Sequence, residues 1–229
     1  MGFSGNNGDA GYKCRQGFNV THCNTPESPL SATIDYYFSP PSPWTYLGHA
    51  RFTDMARRAG ASIRLLPTDF GKVFAVSGGL PLGQRAPQRQ AYRLLELARF
   101  SQHLQLPMHV KPRFFPVAGD DAACLIIAVD LYDGVEAAMR LSGAVFEAVW
   151  RDERNIADAS VLAQLLSEQG LSAQRLQQAG SAEVTQRYHA NTQQAIDKSV
   201  FGAPTYVVDG DMFWGQDRLD FVERKLLAH

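Results

Sequence analysis

The chain has 229 residues, 22 Lys+Arg against 23 Asp+Glu, a formal net charge of −1 and 45% hydrophobic residues. That composition is ordinary for a globular protein, and the balanced charge offers no field for holding nucleic acid. No run of 18 apolar residues is present to span a membrane.

Three cysteines, Cys14, Cys23 and Cys124, form neither a C-x-x-C nor a metal-ligand spacing. They predict no dithiol chemistry, no structural zinc and a reducing, cytoplasmic compartment. Residues 1–31 are rich in Gly, Asn and Ser, with only isolated apolar positions. They read as a disordered N-terminal extension rather than a secretory signal. Asn19-Val20-Thr21 matches the glycosylation sequon, a short pattern that chance often produces.

The ordered pattern starts at Ala32. Thr33 to Phe38 is β-branched and aromatic, a strand signal. Ser42-Pro43 reads as a helix N-cap followed by proline at the first helical position. Phe52, Met55 and Ala56 continue that helix, and Gly60 ends it. Ser62 to Leu66 is a second strand closed by Pro67, so the unit is β-α-β and its strands are parallel. From about 83 to 200 helical spacing dominates. Ala91, Leu94, Leu95 and Ala98 make one stripe, and residues 122–129 are apolar all round, as in a buried helix carrying Cys124. Val135 to Val149 is a long stripe, Asp158 opens a helix that Gly170 ends, and Val184, Tyr188 and Ala195 mark a last one. Thr205 to Val208 and Met212 to Trp214 are strands joined by an Asp209-Gly210 hairpin turn. Asp217 to Leu227 is a terminal helix with Leu219, Val222 and Leu226 inward.

Two strands alone make no stable sheet, and four do. The chain therefore reads as an α/β protein, one four-stranded mixed sheet built β-α-β and β-β-α, with a helical domain inserted. The implied division is an extension over 1–31, a first sheet part over 32–82, a helical insertion over 83–200 and a second sheet part over 201–229.

That order resembles the thioredoxin fold, and the insertion resembles relatives of the periplasmic disulfide oxidoreductases. Three motifs narrow it: Ser42-Pro43-Trp44-Thr45-Tyr46-Leu47 where redox relatives carry C-x-x-C, Phe201-Gly202-Ala203-Pro204-Thr205 at the cis-proline loop, and Trp214-Gly215-Gln216-Asp217-Arg218-Leu219. Together they resemble 2-hydroxychromene-2-carboxylate isomerases and kappa-class glutathione transferases over about residues 32–229.

The resemblance implies a glutathione site. Ser42, otherwise a plain N-cap, would donate to the glutathione sulfur at a helix end that favours thiolate. Ala203 would offer its backbone beside a cis bond to Pro204. Asp217 would pair with the γ-glutamyl ammonium, with Trp214, Gly215 and Gln216 around it and the helix N-terminus taking the carboxylate. Phe114 matches a glutathione-contacting tyrosine and would only pack. Lys72 and Arg85 would hold a small aromatic carboxylate, with Trp44 lining its pocket. Arg89 and Arg93 continue a four-residue repeat from Arg85, and Arg93 reads as part of a solvated charged face. The six histidines form no cluster and read as scattered or satisfied. The implied activity is glutathione-dependent cis-trans isomerisation of 2-hydroxychromene-2-carboxylate to trans-o-hydroxybenzylidenepyruvate by a homodimer. The alternatives are a kappa-like transferase that consumes glutathione and a non-catalytic glutathione or peptide binder.

Overall fold

The computed structural model describes residues 1–2 and 32–228. Cys14, Cys23, the sequon and the expected disorder of 1–31 therefore fall outside the described residues.

Strand β1 (Thr33–Phe38) leads into helix α1 (Pro43–Arg58) and strand β2 (Ser62–Pro67). Helices α2 (Phe70–Ser77), α3 (Pro87–His103), α4 (Asp120–Asp133), α5 (Val135–Trp150), α6 (Ala159–Glu168), α7 (Gln174–Ala179) and α8 (Ala182–Asp197) follow. The chain then makes strands β3 (Thr205–Val208) and β4 (Asp211–Trp214) and helix α9 (Leu219–Leu227). The sheet order is β2-β1-β3-β4. The β1–β2 pair is parallel, with Tyr36 opposite Leu65, and β3 is antiparallel to β1, with Tyr36 opposite Tyr206. At the β3–β4 turn Asp209 and Gly210 both take positive φ, 49° and 85°, the geometry a two-residue hairpin requires.

Alternation along β1 divides the core. Ile34, Tyr36 and Phe38 join Phe52 and Met55 of α1, Phe146 of α5 and Val222 of α9 in one cluster. Tyr36 lies 4.5 Å from the Phe52 ring and 5.4 Å from that of Tyr206. On the opposite face Tyr37 and Val207 pack with Phe70 and Val73 of α2 and Ala195 of α8. Asp35, also on that face, is buried, and Arg64 binds it in bidentate fashion at 2.6 and 2.7 Å. His49 is buried in the first face, its ring nitrogens 3.3 Å from the Tyr36 hydroxyl and 2.9 Å from the Met139 carbonyl, a satisfied core histidine.

Helix α4 is apolar all round because it is covered on two sides. Leu125, Ile126 and Val129 enter the main core, while Ala123, Ile127 and Ala128 meet Val184 and Tyr188 of α8.

Five details depart from the sequence reading. Helix α2 forms before residue 83, capped by Asp69, whose carboxylate accepts from the Gly71 and Lys72 N–H groups. Helix α7 adds a short turn among the later helices. On α3 the buried residue is Leu97, and Leu95 of the expected stripe is exposed. Cys124 is half-buried rather than buried, because its side of α4 lies at the rim of the smaller cluster. The segment expected to be helical from Asp217 starts as one 3-10 turn, Gln216–Arg218, before α9 takes over.

Candidate active site

Helix α1 begins at Ser42, whose extended backbone (φ −75°, ψ 122°) and side chain cap it, with Pro43 at the first helical position. The Ser42 hydroxyl accepts from the Thr45 N–H at 3.3 Å. A hydroxyl carries one proton and two lone pairs, and this one donates to no described residue. The half-buried Ser42 O–H is therefore free at the positive end of a 16-residue helix.

Two residues further along, Trp44 enters the wall of a cleft of about 370 Å³, within the usual range for small-molecule sites. Its walls come from three places: Trp44 of α1, Arg85 through Phe100 before and along α3, and Ala203 with Trp214–Arg218 from the end of the chain. The Ala203–Pro204 peptide bond is cis, and the Pro204 carbonyl accepts from the Gly215 N–H at 2.9 Å. That bond ties the proline loop to the Trp214–Asp217 segment. Trp214 lies directly over Gly202, where any side chain would collide with its indole, and meets Phe201 edge to face with ring centroids 4.8 Å apart.

Gly48 performs the matching task on α1. A Cβ there would sit 2.7 Å from the Gln216 Cβ, so only glycine lets the 3-10 turn approach the helix this closely. Arg51, one turn further on, donates to the Gln216 carbonyl at 3.0 Å and to its side-chain oxygen. Gln216 is 2% exposed and its amide oxygen is committed to Arg51, whereas Asp217 is exposed next to it.

The charges in the cleft are uneven. Its two acids are engaged: Glu96 with Arg99 at 2.6 Å and Asp217 with Arg218 at 2.8 Å. Arg85, Arg89 and Arg93 have no carboxylate partner among the described residues. Arg93 is half-buried, not part of a solvated face. Its guanidinium lies 5.2 Å from the Phe115 ring centroid and 5.8 Å from that of Trp150. Burial, and then repulsion by Arg85, lower its pKa to about 10.

A family profile described as the DSBA-like thioredoxin domain matches residues 33–227. A protein of Sphingobium xenophagum named 2-hydroxychromene-2-carboxylate isomerase is 30% identical over 86% of this chain and 100% of its own length. The chain belongs to the family of 2-hydroxychromene-2-carboxylate isomerases and kappa-class glutathione transferases. Human glutathione S-transferase kappa 1 is 25% identical over 88% of this chain and 91% of its own. A solved structure of a 2-hydroxychromene-2-carboxylate isomerase superposes with a TM-score of 0.72 at 27% identity, covering 86% of this chain and 95% of that one.

In this family member the cleft gathers Trp44, Arg85, Ala203, Trp214, Gly215, Gln216 and Asp217, with Ser42 and Pro204 adjoining in sequence. It leaves out two residues that the sequence singled out. Lys72 is 57% exposed on α2 and pairs with Asp69 at 3.6 Å, away from the cleft walls. Phe114 is also absent from the walls, and Arg113 covers its ring at 5.1 Å. Its neighbour Phe115 turns the other way, under Arg93. Sequence reading missed Arg93, Tyr92, Glu96 and Phe100 as cleft residues. The arginine repeat was the available signal, but nothing local announced the aromatic rings beneath it.

Proposed function

We propose that this protein is a glutathione-dependent isomerase acting on 2-hydroxychromene-2-carboxylate or a closely similar aromatic acid. The observation that carries the reading is the Ser42 hydroxyl, which donates to no described residue and stands at the N-terminus of α1, two residues before the cleft-lining Trp44. The names of the isomerase and kappa-transferase relatives support it.

The residues present suit a γ-glutamyl tripeptide. The Asp217 carboxylate, whose ion-pair partner Arg218 is itself exposed, suits an ammonium group, and the backbone of Ala203 suits an extended peptide. Bound glutathione would supply a thiolate able to add to, and leave, a conjugated alkene so that the bond can rotate. Ser42 holds negative charge on the sulfur by donating its proton in a hydrogen bond, aided by the helix end. Trp44 and Phe100, edge to face at 6.0 Å, offer an aromatic wall for the second substrate. The rest of the protein's contribution is positioning, with Gly48 and Arg51 fixing where Asp217 sits.

The test is an absorbance assay of 2-hydroxychromene-2-carboxylate with and without glutathione. Conversion that requires glutathione and returns it intact is expected. Conversion without glutathione, or none with it, overturns the reading. The kappa-transferase relative supports a second reading, conjugation of electrophiles, and stoichiometric loss of glutathione would select it.

A further inference from the structure

Arg93 reaches the cleft from α3, but what fixes it comes from elsewhere. Phe115 lies on the connection between α3 and α4, and Trp150 is the last residue of α5. Their rings pack at 4.8 Å and form a platform that the Arg93 guanidinium covers. A guanidinium resting on ring faces keeps its edge N–H groups for in-plane hydrogen bonds, the geometry that suits a carboxylate. No described residue supplies that carboxylate. Glu96 is engaged by Arg99, Asp217 is engaged by Arg218, and Arg85 stands close enough to repel. Arg85 is itself positioned, its Nε donating to the Leu80 carbonyl at 2.8 Å. A half-buried cation next to a second cation is costly unless an anion arrives.

We infer that Arg93, with Arg85 beside it, receives the carboxylate of the second substrate and makes the cleft select flat aromatic acids over uncharged molecules of the same shape. This rests on the isomerase reading for the place of the acid in catalysis, while the binding it requires can be measured without turnover. Arg93 acts by touching the substrate. It assigns to α3 the role that the sequence placed partly on Lys72. It also names what divides the two readings of the fold, because a transferase open to neutral electrophiles gains nothing from this receptor.

The experiment is calorimetric titration of the full chain with chromone-2-carboxylate, a stable flat acid, with its methyl ester, and separately with glutathione. The wild type is expected to bind the acid more tightly than the ester. Arg93→Met is expected to weaken acid binding by about 10- to 100-fold, the range for a hydrogen-bonded charged pair, and ester binding by less than about 3-fold. Arg93→Lys restores the charge but not the planar fork, so it recovers only part of the loss. Glutathione affinity should be unchanged in each variant and reports that the fold is intact. If Arg93→Met does not fold, Arg93→Lys and Arg85→Met still test the acid-over-ester preference. Equal losses for acid and ester, no loss for either, or a wild type with no preference for the acid would overturn the inference. Absence of glutathione binding with the Arg93-dependent preference retained would instead sink the isomerase reading and leave the receptor standing.

Discussion

Gly48→Ala tests whether the Gln216–Asp217 segment is positioned by its contact with α1. The added methyl would stand 2.7 Å from the Gln216 Cβ, 3.4 Å from its Cα and 3.1 Å from the Tyr206 hydroxyl. Carbon atoms at rest sit about 3.5–4.0 Å apart, so the segment must retreat by about 1 Å. It cannot do so freely. Arg51 holds the Gln216 carbonyl at 3.0 Å, and the Pro204 carbonyl holds the Gly215 N–H at 2.9 Å. Tyr206 is fully buried in the core and cannot yield instead. Two effects oppose each other. Alanine in a helix interior is worth about 1 kcal/mol over glycine. Overpacking costs about 1–3 kcal/mol. Net stability should therefore change little or fall by up to about 2 kcal/mol. Activity should respond more strongly, because a misplacement of about 1 Å at a binding residue can cost on the order of 100-fold. Denaturant unfolding and kcat/KM for glutathione read the two effects separately. A variant stabilised by about 1 kcal/mol with unchanged kcat/KM would show that the close approach positions nothing.

Other expectations follow from single contacts. Ser42→Ala removes the cap on the Thr45 N–H, at a cost of about 1 kcal/mol, and with it the donor proposed for the glutathione sulfur. Glutathione-dependent turnover should drop by about 10- to 100-fold, and unchanged turnover would rule out the role given to Ser42. Lys72→Ala should alter neither stability by more than about 0.5 kcal/mol nor the KM for the acid by more than about 2-fold, since Lys72 makes only an exposed pair with Asp69. A large KM effect would mean that α2 reaches the substrate. Burial lowers the His49 pKa from 6.5 to about 4. The unfolded chain thus takes up this proton first. Stability is complete above about pH 6.5 and declines as pH falls towards 4, by about 3 kcal/mol in all. His49→Gln should flatten that part of the pH–stability curve in denaturant titrations, and an equally steep decline would assign the acid lability to other groups.

The sheet and its entry points were legible because their signals are local. Ser42-Pro43 caps and starts α1, Asp209-Gly210 closes the β3–β4 hairpin, and Thr33–Phe38 has the branched and aromatic run of a strand. Helix α2 was harder to see, because a glycine in its first turn lowers its propensity and the Asp69 cap is its main local sign. The glutathione side of the site lies in short motifs and so could be read residue by residue. The second-substrate side could not, because its character depends on elements that meet only in three dimensions. Arg93 looks identical to a surface arginine in the sequence, and Phe115 and Trp150 decide otherwise from two separate segments. Phe114 and Phe115 are indistinguishable by type, and backbone direction alone sends one towards Arg113 and the other beneath Arg93.

The same asymmetry bears on how one fold serves both isomerases and transferases. Of the elements that would hold glutathione, the loop at Pro204 and the turn at Gln216 are joined by the Gly215 N–H to Pro204 carbonyl bond and by the close approach at Gly202, and α1 meets that turn at Gly48 and through Arg51. Changing any of them disturbs the others. The three arginines are less tied to them, since Arg85, Arg89 and Arg93 rest on α3, the turn before it and the aromatic pair from other segments, and α3 meets α1 further along, at Phe100 and Trp44. Their charge can be altered without moving the sulfur site. Substrate choice is therefore the part of this architecture most open to change. On the inference drawn for Arg93 it is set towards anions, because the cleft's own carboxylates pair with Arg99 and Arg218 while Arg93 has no carboxylate partner among the described residues.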